Sequence, residues 1–523
     1  MPQDALKTGP KSGARQAPVK PGQVVELEIE SLAYGGDGVA RLKPVESGSL
    51  AELGTMARPE AGPQGLGTAP AGSLAGLGTM APGPQGLGTA PSGYTVFVPF
   101  SAPGDRVKVR MREVKRTYAR ADILEVLSPG AQRVAAPCPV AGRCGGCSWQ
   151  HLAYPAQLEA KRRFLSEALA RIGGLAGVPV EEVLASPRTL GYRNKAQVPF
   201  SPRPGGGFEM GFFAEGSHRV VPLPESGCAI QPGGANRALK AAEALLRSSG
   251  VPAYDEGSGE GELRHLLARV NSAGQVMLVF VTRGPVSKAL KVAAESLRKE
   301  MPELVSVLHN RQPSPGNLIL GGETRLLAGQ DHLVEELGGL RFKVSATSFF
   351  QVNSLQVEAM WSLLLGSREW SGKEGVLELY CGVGTLSLPL AKACGRLLGL
   401  ESSAGAVRDA RENAALNGVG NASFFQLGAE AGFDLAEKQG FKPEVLVVDP
   451  PRKGLEPGLT AEILKHRPAE ILYVSCDPAS LARDLGALAR GGYGVERVRP
   501  LDLFPQTYHV ESVTCLKWRG SHG

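Results

Sequence analysis

The chain has 523 residues, of which 42% are hydrophobic, and a formal net charge of +6. At about 150 residues per domain, this length predicts three or four structural units. No apolar run approaches the roughly 18–20 residues that cross a bilayer, and the N-terminus lacks the apolar core of a secretory signal. We therefore expect a cytoplasmic protein with no membrane partner, whose eight cysteines are ligands or catalysts rather than disulfides.

The order of patterns along the chain predicts four segments. They are a disordered tail at 1–23, an OB-like β-barrel at 24–128, an α+β central domain at 129–345 and an α/β domain at 346–523. In the last segment strands alternate with helices, which predicts a parallel sheet flanked by helices.

The barrel segment contains a low-complexity insertion at 44–93, in which LGTMA and GPQGLGTAP each occur twice. Gly, Pro, Ala and Thr dominate it, so it cannot bury a core, and we interpret it as a disordered loop. A binding role for it is the alternative.

A strand in the barrel segment carries cations at every second position. Period two places them on one face and the intervening apolar residues on the other. They are Arg106, Lys108, Arg110 and Arg112. This charge density favours contact with an RNA backbone, and an ordinary solvated strand face is the alternative.

Cys138, Cys144 and Cys147 follow a C-x5-C-x2-C spacing, and Cys228 is the nearest candidate for a fourth ligand. Four thiolates suit an iron–sulfur cluster or zinc. Because structural zinc usually takes its ligands in two close pairs, the three-plus-one arrangement favours a structural [4Fe–4S] cluster. Zinc and unligated thiols remain alternatives.

A glycine loop, Glu378–Thr385, follows a predicted strand and precedes an apolar helix. A turn of this kind at the edge of a parallel sheet binds nucleotide-like ligands, and Gly382 and Gly384 allow close approach. The next strand ends at Glu401, where a carboxylate can bind both ribose hydroxyls; a surface carboxylate is the alternative. Since no phosphate-binding lysine motif is present, a nucleoside such as S-adenosylmethionine fits.

Two further strand ends carry polar chemistry. Asp449 begins a rigid Asp-Pro-Pro edge, and Cys476 lies at the tip of a buried strand just before a helix. A thiol near a helix N-terminus is predicted to have a lowered pKa, which makes Cys476 a candidate nucleophile. Cys381, in the cofactor loop, is the weaker competitor.

His509 and Glu511 lie in a strand-like context near the C-terminus, two residues apart and so on one face. A buried carboxylate with a raised pKa can act as a general base. For His509, a hydrogen-bonded core histidine is the favoured interpretation, and its role stays open.

Taken together, the segments LELYCGVGTLSLPLA, VVDPPRKG, YVSCDPASLARDL, FPQTYHVESV and SFFQVN resemble the RNA uracil-C5 methyltransferases. The resemblance is closest to the RumA/RlmD-like 23S ribosomal RNA type and runs from about residue 24 to 519 outside the repeat tract. It implies a Rossmann-like (class I) methyltransferase domain and an N-terminal TRAM barrel. We also expect a monomer.

The resemblance also implies roles for individual residues. Cys476 matches the nucleophile that attacks C6 of uracil, and Glu511 matches the base that removes the C5 proton. The positions around S-adenosylmethionine are Gln351, Tyr380, Thr385, Glu401 and Asp449. The [4Fe–4S] ligands are Cys138, Cys144, Cys147 and Cys228.

Two positions depart from the family pattern. Gly428 stands in the loop expected beside the adenine, where relatives often carry a polar side chain, so any contact there would come from the backbone. Asp477 stands where many relatives have Asn, which adds a negative charge beside Cys476 and weakens the expectation of a low pKa.

Three alternatives to a 23S ribosomal RNA enzyme stay open. A transfer RNA 5-methyluridine methyltransferase would carry the same catalytic motifs. An amino-group methyltransferase needs no cysteine nucleophile and usually has an aromatic residue where Arg452 stands. A non-catalytic RNA-binding or ribosome assembly protein would have no use for an intact Cys476, Glu511 and cofactor loop.

Overall fold

The computed structural model describes residues 17–42 and 93–520, so most of the predicted tail and of the 44–93 insertion lies outside the described residues. The chain divides into two compact units. Unit 1 comprises Met1–Ser31 and Gly38–Gly130, and unit 2 comprises Leu32–Asp37 and Ala131–Gly523. Over the described ranges, none of the helices has the length and apolar character needed to span a membrane.

Unit 1 is built on a six-stranded sheet with the order β1-β5-β6-β4-β3-β2. Its strands are β1 (Val24–Glu28), β2 (Ser31–Leu32), β3 (Gly38–Leu42), β4 (Tyr94–Val98), β5 (Arg106–Val114) and β6 (Tyr118–Ser128). The predicted alternation in β5 is confirmed, because its cations are exposed while Val107, Val109 and Met111 are buried. These apolar side chains form the core of the unit.

The first part of unit 2 contains a seven-stranded sheet with the order β13-β12-β11-β10-β7-β8-β9, and a separate hairpin, β14-β15. Its strands are β7 (Lys195–Pro202), β8 (Phe208–Phe213), β9 (Val220–Pro222), β10 (Leu263–Val270), β11 (Val276–Thr282), β12 (Leu304–Arg311), β13 (Glu323–Gly329), β14 (His332–Leu337) and β15 (Leu340–Ser345). The helices are α1 (Tyr154–Ala168), α2 (Gly233–Ser249) and α3 (Lys288–Glu300). Helices α2 and α3 pack on one face of the sheet through small and aliphatic side chains such as Leu239 and Leu290.

The second part of unit 2 is an α/β sheet with the order β18-β17-β16-β19-β20-β22-β21. Its strands are β16 (Gly375–Leu379), β17 (Arg396–Glu401), β18 (Ala422–Gln426), β19 (Val445–Val448), β20 (Glu470–Ser475), β21 (Tyr493–Leu501) and β22 (Glu511–Trp518). The predicted α/β class is confirmed, but the sheet is not wholly parallel. The last strand, β22, inserts antiparallel between β20 and β21.

Helices cover both faces of this sheet. They are α4 (Ser354–Leu365), α5 (Ser387–Ala393), α6 (Ala404–Leu416), α7 (Gly432–Lys438), α8 (Pro457–His466) and α9 (Pro478–Arg490). Successive strand residues alternate between the two cores, as Val376 and Leu377 do. Truncating one such buried leucine to alanine typically lowers the free energy of unfolding by about 2–5 kcal/mol. Packing on both faces therefore stabilises the sheet.

A close contact between backbones fixes α9. Helix α1 continues into a π-helical turn, Leu169–Gly173. A Cβ atom on Gly173 would lie 2.8 Å from the carbonyl oxygen of Ala482, so a side chain there would push α9 away. The N-terminus of α9, next to Cys476, is thereby held in place.

Candidate active site

The loop after β16 lies beside the end of β17, as parallel pairing requires. Tyr380, Gly382 and Gly384 all have positive φ, which wraps the loop backbone tightly. The Gly382 N–H donates to a Glu401 carboxylate oxygen at 3.2 Å, and the Ser403 N–H donates to the other oxygen at 2.8 Å. Glu401 is thus anchored by two backbone amides rather than loose on the surface.

The loop Leu427–Glu430 follows β18, and the Leu427 N–H donates to the Glu401 carbonyl at 3.2 Å. A Cβ atom on Gly428 would meet only the Glu430 carboxylate, at 3.1 Å. Glu401 and this loop therefore lie side by side, and Gly428 offers backbone alone.

Three other predicted cofactor positions lie in the second part of unit 2. The Tyr380 hydroxyl, with a pKa raised by burial, donates to the Glu456 carboxylate, and Thr385 is half-buried just beyond Gly384. Gln351 lies before α4, and its carbonyl accepts from the Asn194 side chain at 2.9 Å. The sequence did not indicate Asn194, because this contact joins segments far apart in the chain.

Strand register brings Cys476 and Glu511 together. Ser475, the last residue of β20, pairs with Ser512 of β22 in antiparallel register. Continuing that register by one residue places Cys476 opposite Glu511. Because Val448 pairs with Tyr473, Asp449 follows the neighbouring strand at the same edge. A thiol and two carboxyl groups therefore converge on one point.

The acidities of these groups differ from those of free side chains. Burial, with the negative charges of Glu511 and Asp449, raises the pKa of the Cys476 thiol to about 12. The prediction of a lowered pKa was wrong, because burial and nearby carboxyl groups outweigh the helix N-terminus. Burial also raises the pKa of Asp449 to about 7, and burial beside Asp449 raises the pKa of Glu511 well above its ordinary value.

Asp477 is the N-cap of α9 and uses both carboxylate oxygens. One accepts the Ser480 N–H at 2.8 Å, which caps the helix, and the other accepts the Tyr34 hydroxyl at 3.1 Å. Tyr34 belongs to the short segment Leu32–Asp37 of unit 2 and packs edge-on against Phe164 and Tyr508. Two hydrogen bonds therefore fix the Asp477 carboxylate beside Cys476.

Known proteins share this architecture. A family model described as tRNA (Uracil-5-)-methyltransferase matches residues 317–519, and a TRAM domain model matches residues 78–124. An RNA methyltransferase from Gloeobacter violaceus, itself uncharacterized, is 40% identical and covers 96% of this chain and 99% of its own. A second from Halalkalibacterium halodurans is 36% identical with the same coverage. The chain belongs to the RNA uracil-C5 methyltransferase family.

A solved relative agrees with this assignment. The Pyrococcus abyssi tRNA (uracil-54, C5)-methyltransferase, in complex with S-adenosyl-L-homocysteine, is 27% identical with a TM-score of 0.65. The match covers 80% of this chain and 94% of that one. The enzyme is thus an S-adenosylmethionine-dependent RNA methyltransferase with a TRAM domain, as the sequence motifs indicated.

In this methyltransferase, the segment that leads to Glu511 is anchored by α1. The buried Lys161 ammonium donates to the Asp502 carboxylate at 2.5 Å and to the Phe504 carbonyl at 3.1 Å. The Gln157 side chain accepts the Gln506 N–H at 2.9 Å. Sequence analysis missed these residues; a lysine and a glutamine on the apolar side of a helix were the available signal.

His509 precedes β22 instead of lying on it, so the prediction that it shares a strand face with Glu511 was wrong. Its ring contacts those of Phe504 and Tyr508. Burial and the positive charge of Arg452 lower the pKa of His509 to about 4, which keeps the imidazole neutral at pH 7.

The four cysteines of the predicted cluster lie near one another. Burial, with the nearby Cys138 and Cys144, raises the pKa of Cys147 to about 12 and of Cys228 to about 11. The Gly146 N–H points at Cys144 Sγ, 3.4 Å away. No three His, Cys, Asp or Glu side chains within residues 17–42 and 93–520 surround a single position suited to one metal ion.

The predicted RNA contacts lie on the exposed face of β5 in unit 1. Arg106 pairs with Glu26 at 3.1 Å and Arg112 with Asp122 at 3.0 Å. Because all four of these side chains are more than half exposed, the pairs are weak, and an RNA phosphate could replace the carboxylates at small cost.

Proposed function

We propose that this enzyme methylates C5 of a uridine in 23S ribosomal RNA through a covalent bond between Cys476 and C6. The observation that carries the proposal is the β20–β22 register, which sets Cys476 opposite Glu511. A nucleophile and a base on adjacent strand ends can act on adjacent ring atoms of one uracil.

The chemistry follows from the two groups. Attack of Cys476 Sγ on C6 forms the S–C6 bond and moves the C5–C6 π electrons toward C5 and O4. S-adenosylmethionine, when bound, supplies the methyl group that C5 then acquires. The Glu511 carboxylate takes the proton from C5, the electrons re-form the C5–C6 double bond, and the S–C6 bond breaks to release Cys476.

The raised pKa values of the Cys476 thiol and of the Glu511–Asp449 pair indicate which group carries a proton at each step. Before substrate binds, the thiol is neutral and the Glu511–Asp449 pair retains a proton, because neighbouring buried carboxyl groups resist double ionisation. The thiol proton must therefore pass to a solvent water molecule during attack, and Glu511 must be ionised when C5 loses its proton. A base of high pKa is well matched to that second step.

For the cofactor, we propose that Glu401 binds the ribose hydroxyls and that the Leu427–Glu430 loop lies by the adenine. Gln351, Tyr380, Thr385 and Asp449 complete the pocket. The positive-φ glycine loop and the anchored Glu401 carboxylate support this assignment.

Transfer RNA is the second candidate substrate. The solved relative from Pyrococcus abyssi acts on transfer RNA, and the matched family model carries that name. Mass spectrometry of ribosomal and transfer RNA fragments from a strain lacking the gene decides between them. Loss of 5-methyluridine from a large-subunit fragment supports our proposal, loss from transfer RNA alone replaces the substrate, and no loss from either favours a non-catalytic RNA-binding protein.

We further propose that Cys138, Cys144, Cys147 and Cys228 bind a [4Fe–4S] cluster. Four neighbouring thiols with an N–H directed at one sulfur fit the ligand chemistry of such a cluster. Iron analysis of anaerobically purified protein should give about four iron atoms per chain, and about one zinc atom would replace the proposal. Cys144→Ser should lower the iron content, whereas Cys394→Ser, at a buried cysteine outside the cluster, should not.

For the domain organisation, we propose that residues 24–128 form the RNA-binding barrel, that residues 129–345 form the cluster domain and that residues 346–523 form the catalytic domain. We propose that the protein is a monomer. Arg106, Lys108, Arg110 and Arg112 are its proposed phosphate contacts. A double substitution, Lys108→Gln with Arg110→Gln, should weaken RNA binding and leave cofactor binding unchanged.

A further inference from the structure

Three cations on or next to strands β7 and β10 lie together beside the candidate active site. Lys195 of β7 and Arg269 of β10 are direct cross-strand partners, so their side chains share one face of the sheet. Arg193 lies two residues before Lys195, and its Nε donates to the Lys195 carbonyl at 3.2 Å. We call Arg193, Lys195 and Arg269 the cation triad.

The cation triad has no acidic partner among the residues that the structure describes. Arg269 is only 3% exposed, and its Nε has no hydrogen-bond partner. One of its terminal nitrogens donates to the Ser348 carbonyl. The nearby Asp409 carboxylate instead accepts the hydroxyls of Ser345 and Ser348.

Burial and the adjacent arginines lower the pKa of Lys195 to about 7, and burial lowers the pKa of Arg269 to about 10. A guanidinium stays charged at neutral pH, so burial without a counter-ion is costly. Neighbouring cations add repulsion to that cost. An anionic ligand would remove both penalties.

Two residues next to the cation triad in sequence form hydrogen bonds with segments of the candidate site. Asn194, between Arg193 and Lys195, donates to the Gln351 carbonyl and to the Ser354 hydroxyl, each at 2.9 Å. The preceding Tyr192 hydroxyl donates to the Pro505 carbonyl at 3.0 Å, in the segment that leads to Glu511. The cation triad therefore borders both segments that line the site.

We propose that the cation triad binds a backbone phosphate of the RNA strand beside the target uridine. This inference rests on the proposed function. A uridine turned out of its stack must have its flanking backbone held, and a planar guanidinium matches the oxygens of a phosphate. The same chemistry suits one other anion within reach of Gln351, the carboxylate of the cofactor's methionine part.

The test uses Lys195→Gln in the full-length Cys476→Ala protein, so that binding is measured without chemistry. The probe is a short fluorescein-labelled oligouridylate, titrated by fluorescence anisotropy at several salt concentrations. Loss of one phosphate contact should weaken binding about tenfold and make the slope of log K against log salt shallower by about 0.7. Cofactor affinity, measured by calorimetry, should not change.

Lys291→Gln is the matched control, because Lys291 is an exposed cation of α3, which packs on the opposite face of the same sheet. It should leave RNA binding and slope unchanged, and Lys195→Arg, which keeps the charge, should restore both. Unchanged RNA affinity and slope in folded Lys195→Gln protein would overturn the proposal. Weakened cofactor binding alone would assign the cation triad to the carboxylate instead. Because no methylation is measured, failure of the proposed reaction would not mimic either result.

Discussion

The Tyr34 hydroxyl donates to the Asp477 carboxylate at 3.1 Å, immediately beside Cys476. Asp477 is one cause of the raised pKa of the Cys476 thiol, although burial, Glu511 and Asp449 precede it. The same carboxylate caps α9 through the Ser480 N–H. One side chain thus stabilises the helix and lowers the reactivity of the neighbouring thiol.

Asp477→Asn should make Cys476 more reactive. Asparagine keeps one oxygen for the cap, and its amide N–H can donate to the Tyr34 hydroxyl oxygen. The change removes a negative charge, so the thiol pKa should fall. Alkylation of Cys476 by iodoacetamide at pH 8, followed by peptide mass spectrometry, should be about two- to fivefold faster than in the wild type. Asp477→Ala, which also loses the cap, should lower the free energy of unfolding by about 1 kcal/mol. An equal or slower rate in Asp477→Asn would contradict this account.

Glu511→Gln should separate methylation from product release. Cys476 can still attack, and C5 can still be methylated, but no carboxylate removes the C5 proton, so the S–C6 bond persists. Denaturing electrophoresis should show a covalent protein–RNA complex containing the transferred methyl group. Glu412→Gln, on the exposed side of α6, is the control and should give free product. Rapid release of methylated RNA by Glu511→Gln would show that another group removes the proton.

Asp449→Asn should stabilise the folded protein at alkaline pH. The pKa of Asp449 is raised from its ordinary 3.8 to about 7, so between these values the folded state holds a proton that the unfolded chain has lost. The free energy of unfolding therefore falls as pH rises through this window. Urea denaturation at pH 8 should show Asp449→Asn more stable by on the order of 2 kcal/mol, with little difference near pH 4. Glu437→Gln, at an exposed carboxylate, should change neither value.

Lys161→Met should destabilise the protein because it leaves Asp502 buried without a counter-ion. Removing one partner of a buried pair typically costs about 3–5 kcal/mol. Replacing both, as Lys161→Met with Asp502→Leu, should recover much of that stability but not the activity, since the Phe504 carbonyl still lacks its donor. Urea denaturation measures the first effect and methyl transfer the second. The exposed pair Lys465–Glu462 is the control, and Lys465→Met should cost about 1 kcal/mol or less.

The strand ends of the catalytic domain were predictable, because hydrophobic runs alternate with helices and polar residues follow each run. Cys476 and Glu511 were identified individually from their motifs. The strand register that sets them opposite each other was not evident, since the antiparallel insertion of β22 is set by long-range packing rather than by local pattern. His509 lies just before that strand.

The sequence also misled on the acidity of Cys476. A helix N-terminus is visible in the sequence, whereas the carboxyl groups that outweigh it come from other strands. The Lys161–Asp502 pair and the cation triad were invisible for the same reason, since each joins segments distant in the chain. Charged residues in otherwise apolar segments are the local sign of such contacts.

The most direct test of the central claim uses RNA transcripts in which 5-fluorouridine replaces uridine. Fluorine at C5 cannot be removed as a proton, so a reaction through a C6 adduct must stop at the covalent complex. With S-adenosylmethionine present, mass spectrometry of the digested complex should locate the RNA on Cys476, and Cys476→Ala should give no complex. A complex on Cys381, or methylation of ordinary RNA by Cys476→Ala, would contradict the account.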